Sequence, residues 1–126
     1  MSSSLKVKFS SRVVRVGHLT NEFISAGVLV FFGPKVPEEL LDFAVIHEGG
    51  ELAEPIKPGD KFCLDGECYN ILAVGDVANK NLASLGHFII KFNGQVQPEM
   101  PGDICAEARP LPSVKIGSVF KFVSFD

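Results

Sequence analysis

The residues with the clearest chemical potential stand in the stretch Ile46-His47-Glu48-Gly49-Gly50, where an apolar run ends on a histidine followed by two glycines. Imidazole titrates near neutral pH, so a large fraction of such side chains carries a nitrogen lone pair that can act as a nucleophile. Glycine adopts backbone angles that other residues avoid, so the amides of Gly49 and Gly50 could turn towards an anion. The stretch therefore predicts a histidine that meets a phosphate. The alternative is a strand that ends in a tight turn beside a packed histidine.

Composition limits what this histidine can serve. The chain has 126 residues, 46% of them hydrophobic, which is enough apolar material for one core, and we expect a single domain over residues 1–126. A net charge of -3 with scattered lysines and arginines offers no basic field for nucleic acid or anionic lipid. No apolar run reaches the roughly 18 residues that a membrane span needs, and the first residues lack a signal-peptide pattern. We therefore expect a cytoplasmic protein.

Strands dominate the predicted elements. Residues 5–10 alternate between apolar and polar side chains, which is typical of a strand with one solvent-facing side, and Val13, Val14 and Val16 continue this strand up to Gly17. Residues 23–32 are dense in aromatic and β-branched side chains and stop at Gly33-Pro34, so we expect a second strand there. Further strands are expected at the His47 stretch, on both sides of Asp65-Gly66, over residues 88–92 and over residues 119–125.

Only short helical turns are expected between these strands. Residues 37–41 have a proline followed by two acids, which suits the first turn of a helix. Leu82 and Leu85 lie three positions apart and predict one more turn, which an asparagine at position 79 or 81 could begin and Gly86 could end.

Corners between strands recur along the chain. The tripeptide Pro-Gly-Asp occurs at residues 58–60 and again at 101–103, each time before an apolar run, and proline followed by glycine suits a turn. We therefore expect an all-β fold: a small closed or partly open β-barrel of short, mostly antiparallel strands with one or two short helical turns.

The cysteines suggest no structural framework. An odd count of three argues against a set of disulfides and agrees with a reducing compartment. Cys63 and Cys68 would face each other across the Asp65-Gly66 turn, where a bridge is geometrically conceivable, but we favour two half-buried thiols. A zinc site would need more ligands than this pair supplies, so we expect no metal and no cofactor.

Taken in order, three groups of residues resemble the glucitol/sorbitol-specific IIA component of the bacterial phosphoenolpyruvate-dependent sugar phosphotransferase system. They are Ile46-His47 with Gly50-Glu51-Leu52, the run 73–78 with Asn81-Leu82 and Leu85-Gly86-His87, and Gly117-Ser118-Val119 with Lys121-Phe122. The resemblance covers nearly the whole chain and implies that His47 occupies the position of the family's phosphorylated histidine. It further implies that the phosphoryl group comes from the histidine-containing phosphocarrier protein and passes to the IIB component. That component phosphorylates sugar entering through a membrane IIC component.

The resemblance implies a mechanism for His47. We expect in-line attack by one ring nitrogen, with Nε2 preferred, while the other nitrogen donates to a backbone carbonyl or a carboxylate. The amides of Gly49 and Gly50 would donate to the phosphoryl oxygens. His87 could hold a phosphate oxygen and Asp76 could orient the ring, since both belong to the residues that carry the resemblance.

Exchange between two proteins also sets an expectation for the surface. His47 should be exposed in a shallow apolar depression, which allows brief and successive docking. Phe43, Ile46 and Leu52 could supply the rim of this depression. Strand alternation should turn Glu48 to the opposite face, away from the incoming charge.

Two other functions stay open on the residues alone. A small β-barrel without enzymatic activity could bind a small molecule or a partner peptide. A metal-dependent hydrolase could use His47, Glu48, Glu51 and His87, although their spacing matches no known ligand pattern.

Overall fold

The computed structural model describes residues 5–111 and 113–125, and strands form most of the regular structure there. The strands are β1 (Leu5–Val16), β2 (Val28–Phe32), β3 (Val45–His47), β4 (Lys61–Leu64), β5 (Glu67–Val74), β6 (Phe88–Lys91), β7 (Asp103–Ala106) and β8 (Val119–Phe125). The helices in the same residues are α1 (Thr20–Ser25) and α2 (Ala78–Leu85), and a short 3₁₀ helix covers Glu38–Leu40, within the helical turn expected at residues 37–41.

The strands hydrogen-bond in a closed barrel in the order β1-β3-β2-β6-β7-β5-β4-β8, and β8 returns to β1. Most neighbouring strands are antiparallel, whereas β2 and β3, and likewise β6 and β7, run parallel. Strand β1 closes the ring because its first part pairs with β8 and its last residues pair with β3. Register shifts after Val7 and after Val13 bend it between the two partners. The predicted all-β barrel of mostly antiparallel strands is confirmed.

Phenylalanine rings fill the barrel. Phe31, Phe62, Phe88, Phe120 and Phe122 are fully buried, and their contacting rings have centroids 4.6 to 6.2 Å apart. Aromatic pairs of this kind add about 0.5–1.5 kcal/mol each to the stabilisation from buried area. The interior of the barrel is therefore a packed core.

The predicted strand over residues 23–32 is wrong in its first half. Helix α1 covers Thr20–Ser25 and β2 begins only at Val28. Gly27 lies between them with φ +80, a left-handed conformation that ends the helical segment. The ring of Phe23 packs against Phe43 with centroids 5.7 Å apart, and Ile24 packs on the core. These tertiary contacts override the local preference of the residues for a strand.

The prediction of two half-buried thiols at Cys63 and Cys68 is also wrong, because the structure joins them in a disulfide. The expected hairpin is present: Asp65 and Gly66 have φ of 50° and 91°, the positive values that a two-residue type I′ turn requires. The hairpin register pairs the two cysteines directly opposite each other, with Cα atoms 4.0 Å apart. Cys105 is a free, buried thiol.

The two Pro-Gly-Asp corners share one hydrogen-bond pattern. The backbone N–H of each aspartate donates to the carbonyl of the residue three positions earlier, which is Lys57 for Asp60 and Met100 for Asp103. Oδ2 of the aspartate in turn accepts the backbone N–H of that residue. Each carboxylate also pairs with a lysine: Lys8 lies 2.7 Å from Asp60 and Lys91 lies 2.8 Å from Asp103. The corners lead into β4 and β7, as predicted.

A long irregular segment joins β3 to β4 and includes Gly49 and Gly50. Its second half is fixed to α2, because Oδ1 of Asn79 accepts the N–H of Ile56 at 2.7 Å and Nδ2 donates to the Ile56 carbonyl at 3.0 Å. Lys8 Nζ also donates to the carbonyl of Pro55 at 2.9 Å. The prediction that Asn79 or Asn81 caps α2 is wrong, since that helix begins without a side-chain cap.

Candidate functional site

His47 is the last residue of β3 and lies within the wall of the barrel. Its side chain has an exposed fraction of 0%, and its ring meets Phe9 and Phe120 edge-on with centroids 5.8 and 5.0 Å away. The prediction of an exposed histidine in a shallow depression is wrong. Strand β3 lies between β1 and β2, so all three of its residues are buried. Glu48 is exposed, as strand alternation predicted.

Both ring nitrogens of His47 have partners. Nε2 lies 2.7 Å from the carbonyl oxygen of Gly86, and the backbone N–H of Gly49 donates to Nδ1 at 3.1 Å. Because a carbonyl can only accept, Nε2 carries the proton and Nδ1 carries the lone pair. Ser11 Oγ lies 2.9 Å from Nδ1 and 2.8 Å from the Gly49 carbonyl, so its single proton can go to either acceptor.

The protonation state of His47 follows from its surroundings. Burial lowers the pKa of the imidazole, because a charged ring would lose its hydration. The carbonyl of Gly86 and the charge of Glu48 act in the opposite direction and have smaller effects on this pKa. The ring is therefore neutral at neutral pH, the form that a nitrogen nucleophile needs.

Two glycines near His47 occupy positions where a side chain would not fit. Gly86 ends α2, as predicted, with φ +66, and a Cβ atom there would lie 2.7 Å from Cε1 and 2.9 Å from Nε2 of His47. A Cβ atom at Gly50 would lie 2.7 Å from the carbonyl oxygen of Ser10 and 3.1 Å from the ring of Phe9. These two positions therefore require glycine on steric grounds.

A cleft of about 160 Å³ lies in front of this backbone. Its lining consists of Pro34, Lys35, Gly49, Gly50, Ala83, Ser84, Leu85 and Gly86. The parallel pairing of β2 and β3 explains the arrangement, because parallel strands end at the same edge and so bring Lys35 beside the residues after His47. A larger groove of about 360 Å³ lies elsewhere, beside the Cys63–Cys68 disulfide.

Comparison with known proteins identifies the family. The family model for the PTS system glucitol/sorbitol-specific IIA component matches residues 8–121. The chain belongs to this family. It is 35% identical over 121 residues to the glucitol/sorbitol-specific EIIA components of Shigella flexneri and of Escherichia coli strain K12, and each match covers 95% of this chain and 98% of the relative. The resemblance stated from the sequence motifs is confirmed.

The fold of this IIA protein also occurs in a solved structure. The crystal structure of the PTS system IIA component from Enterococcus faecalis V583 superposes with a TM-score of 0.77. The match covers 90% of this chain and 98% of that chain, at 22% identity. It supports the architecture of the barrel.

The structure brings only some of the predicted site residues to the His47 ring of the IIA protein. The amide of Gly49 points at Nδ1, whereas Gly50 contributes to the cleft wall. The prediction that Asp76 orients the ring is wrong, because Ser11, Gly49 and Gly86 occupy both ring nitrogens. Asp76 is exposed and lines another cleft, together with residues 98–101.

His87 lies directly after Gly86 but belongs to a different set of contacts. Its Nδ1 donates to the carbonyl of Phe31 at 3.0 Å, and its ring stacks on Phe32 with centroids 4.3 Å apart. In this state Nε2 of His87 carries a lone pair, so the ring must take up a proton before it can donate to a phosphate oxygen. The role of His87 at the phosphate stays a prediction.

None of the three residues predicted for the apolar rim is among the described residues that line the cleft. Phe43 has an exposed fraction of 36%, whereas Ile46 is buried at 6% and belongs to a small core cluster. Leu52 is half-buried and packs against the main core. Leu85, with an exposed fraction of 39%, lies on the cleft itself and was not predicted.

Sequence reasoning missed Ser11 and Lys35. Ser11 is a polar residue in the inward-facing series Phe9, Ser11 and Val13, all of which are buried. A serine in such a series needs a hydrogen-bond partner inside the barrel, and this need could have pointed to His47. Lys35 follows Gly33-Pro34, and only the parallel pairing of β2 with β3 connects it to the histidine.

In residues 5–111 and 113–125 of this IIA protein, no group of three or more His, Cys, Asp or Glu side chains could hold a metal ion. Within the same ranges, neither helix is long and apolar enough to cross a membrane.

Proposed function

We propose that this IIA protein is a phosphocarrier that accepts a phosphoryl group on His47 and passes it on. The donor is the histidine-containing phosphocarrier protein and the acceptor is the sugar-specific IIB component, which serves glucitol/sorbitol uptake through the membrane IIC component. These exchanges take place in the cytoplasm. Membership of the glucitol/sorbitol-specific IIA family supports this proposal.

The observation that carries the proposal is a neutral, oriented imidazole behind a small cleft. The ring of His47 is held at both nitrogens and its pKa is lowered, so it carries a lone pair at neutral pH. A fixed ring keeps its nucleophilic nitrogen in one direction, which favours in-line phosphoryl transfer.

Burial of the ring requires movement before transfer. The backbone N–H groups of Glu48 and Ala53 donate to the carbonyls of Arg12 and Lys8 and so fix both ends of a short segment. Between these ends, the hydrogen bonds of the described chain are the two made by Gly49. Leu52 stays packed against the core, so the movement that lets a phosphoryl group reach the imidazole is a local displacement at Gly49. The exposed Lys35 attracts the incoming dianion at the edge of the cleft, where Gly49 and Gly50 also lie. The amides of these two glycines and the side chain of His87 then hold the phosphoryl oxygens.

Incubation with phosphoenolpyruvate, the two general phosphotransferase proteins and the matching IIB component tests the proposal. The full chain should acquire an acid-labile phosphate and lose it when IIB is added. His47→Gln should acquire none, whereas the control His18→Gln, changed at an exposed histidine that lies beside Asp42, keeps an acid-labile phosphate. An unlabelled wild-type chain, or a labelled His47→Gln protein with a native spectrum, would refute the assignment.

A further inference from the structure

We propose that Nδ1 of His47 is the atom that accepts the phosphoryl group, an inference that rests on the proposed function. Ser11 and the Gly49 amide would then donate to the transferred phosphoryl oxygens. The sequence-based expectation preferred Nε2. The contacts of the two nitrogens support the opposite assignment, for three reasons that concern the tautomer, the partners and the mobility of the surrounding backbone.

The tautomer favours Nδ1. With the proton on Nε2, two hydrogen bonds are satisfied: Nε2–H donates to the Gly86 carbonyl at 2.7 Å, and the Gly49 N–H donates to Nδ1 at 3.1 Å. With the proton on Nδ1, an N–H would face the Gly49 N–H, and a lone pair would face a carbonyl oxygen. Both of these contacts would be repulsive. The lone pair that can attack phosphorus is therefore the one on Nδ1.

The partners of the two nitrogens suit opposite roles. Nδ1 lies next to two groups that can donate, the hydroxyl of Ser11 and the amide of Gly49. Donors at this distance stabilise the charge on the oxygens of a transferring phosphoryl group. Nε2 faces the carbonyl oxygen of Gly86, which would repel those oxygens but stabilises a proton on the ring.

The backbone in front of Nδ1 is also easier to displace. Gly86 is anchored through its own N–H to Leu82, and the preceding carbonyl of Leu85 accepts the N–H of Gly33. Within the described residues, the hydrogen bonds of Gly49 are those with Ser11 and His47. Movement of Gly49 towards solvent uncovers Nδ1, while the Gly86 carbonyl still holds Nε2–H.

The transfer then balances without movement of a proton. The Nδ1 lone pair of His47 forms a P–N bond as the P–N bond of the donor phosphohistidine breaks, and the bonding electron pair stays on the donor ring. The proton on Nε2 remains, and the positive charge that develops on the His47 ring is stabilised by the Gly86 carbonyl. The Ser11 hydroxyl and the Gly49 N–H, no longer bound to the lone pair, turn to the phosphoryl oxygens.

Nitrogen NMR on the full chain with ¹⁵N-labelled histidine tests the assignment at two stages. Before phosphorylation, the long-range ¹H–¹⁵N pattern should show His47 as the Nε2–H tautomer, and an Nδ1–H tautomer would contradict the proposal. After phosphorylation, the phosphorus should couple to Nδ1, and coupling to Nε2 would overturn the proposal while leaving the phosphocarrier function intact. A chain that takes up no phosphate would refute both. His18→Gln and His87→Gln assign the remaining ring signals.

Substitution of neighbouring serines separates the role of Ser11 from a structural one. Ser11→Ala should slow phosphorylation by about 10²-fold at saturating donor, as loss of one donor to a transition-state oxygen does. The apparent affinity for the donor should not change, because Ser11 is buried and cannot contact another protein. Ser10→Ala, on the exposed face of the same strand, should behave as wild type. Equal rates for the two variants would overturn the role of Ser11.

Discussion

The carbonyl oxygen of Gly86 lies 2.7 Å from Nε2 of His47, at the point where α2 ends and the chain turns towards β6. The same glycine has φ +66, and a Cβ atom on it would lie 2.7 Å from Cε1 of the ring. One residue thus fixes the tautomer of the histidine and depends on having no side chain.

We expect Gly86→Ala to reduce both stability and phosphorylation. Alanine in a left-handed conformation costs about 1–2 kcal/mol, and the overlap with the His47 ring adds about 1–3 kcal/mol in overpacking. Gly59→Ala is the matched control, because Gly59 also has a positive φ, of +96, but no atom lies within 4 Å of its Cβ position. Denaturant unfolding of both variants measures the difference. Equal losses would show that position 86 does not press on the ring.

We expect the free energy of unfolding to fall as the pH drops below about 6.5, the pKa of an unperturbed histidine. Burial lowers the pKa of His47 in the folded chain. Between the two pKa values, the unfolded state therefore binds more protons than the folded state. The contribution of His47 to the free energy of unfolding is complete above the pKa of the unfolded state and is lost as the pH falls towards the pKa of the folded state.

Denaturant titrations between pH 7.5 and pH 5 check this pH dependence, because His47→Gln should remove part of the slope. His18→Gln is the control, since the side chain of His18 is 70% exposed and lies 3.3 Å from Asp42. If the slope disappeared in His18→Gln and persisted in His47→Gln, the expected effect of burial on His47 would be contradicted.

The buried pair of Lys8 and Asp60 should be important for folding. Their side chains are 5% and 8% exposed and lie 2.7 Å apart. Asp60→Asn leaves the lysine charge buried without a countercharge, which should cost about 3–5 kcal/mol of unfolding free energy. Glu54→Gln removes the charge partner of the exposed Lys6 and should have a much smaller effect. Chemical denaturation measures both, and a small loss in Asp60→Asn would show that the charge reaches water.

The disulfide gives a prediction that mass spectrometry can check. Under denaturing conditions without reductant, iodoacetamide should add one carbamidomethyl group, on Cys105, and three after reduction. The bridge closes a short loop, with a sequence separation of 5, so its reduction should lower the free energy of unfolding by about 2 kcal/mol. Addition of three groups before reduction would show that Cys63 and Cys68 are thiols.

Local chemistry made much of the barrel predictable. The strand at residues 5–16 and the Asp65-Gly66 turn depend on neighbouring residues alone, and both are present in the structure. The predicted alternation is wrong at the start of β1, where Val7 is exposed and Lys8 is buried beside Asp60. Helix α1 was missed because contacts between residues distant in sequence, such as Phe23 with Phe43, outweigh the local β preference there. The disulfide was missed because the chain has an odd number of cysteines, which argued against a set of disulfides.

The sequence by itself determined the family and pointed to His47 as the candidate nucleophile with Gly49 beside it, because these features reside in contiguous residues and short motifs. Tertiary structure decided how deeply His47 is buried, which nitrogen carries its proton, and that Ser11 and Gly86 are its partners. Ser11 and Gly86 lie 36 and 39 positions away from the histidine along the chain. They meet it because β3 is enclosed between β1 and β2 while α2 ends at the same edge of the barrel. No local pattern encodes that closure, since it depends on the packing of the whole ring of strands.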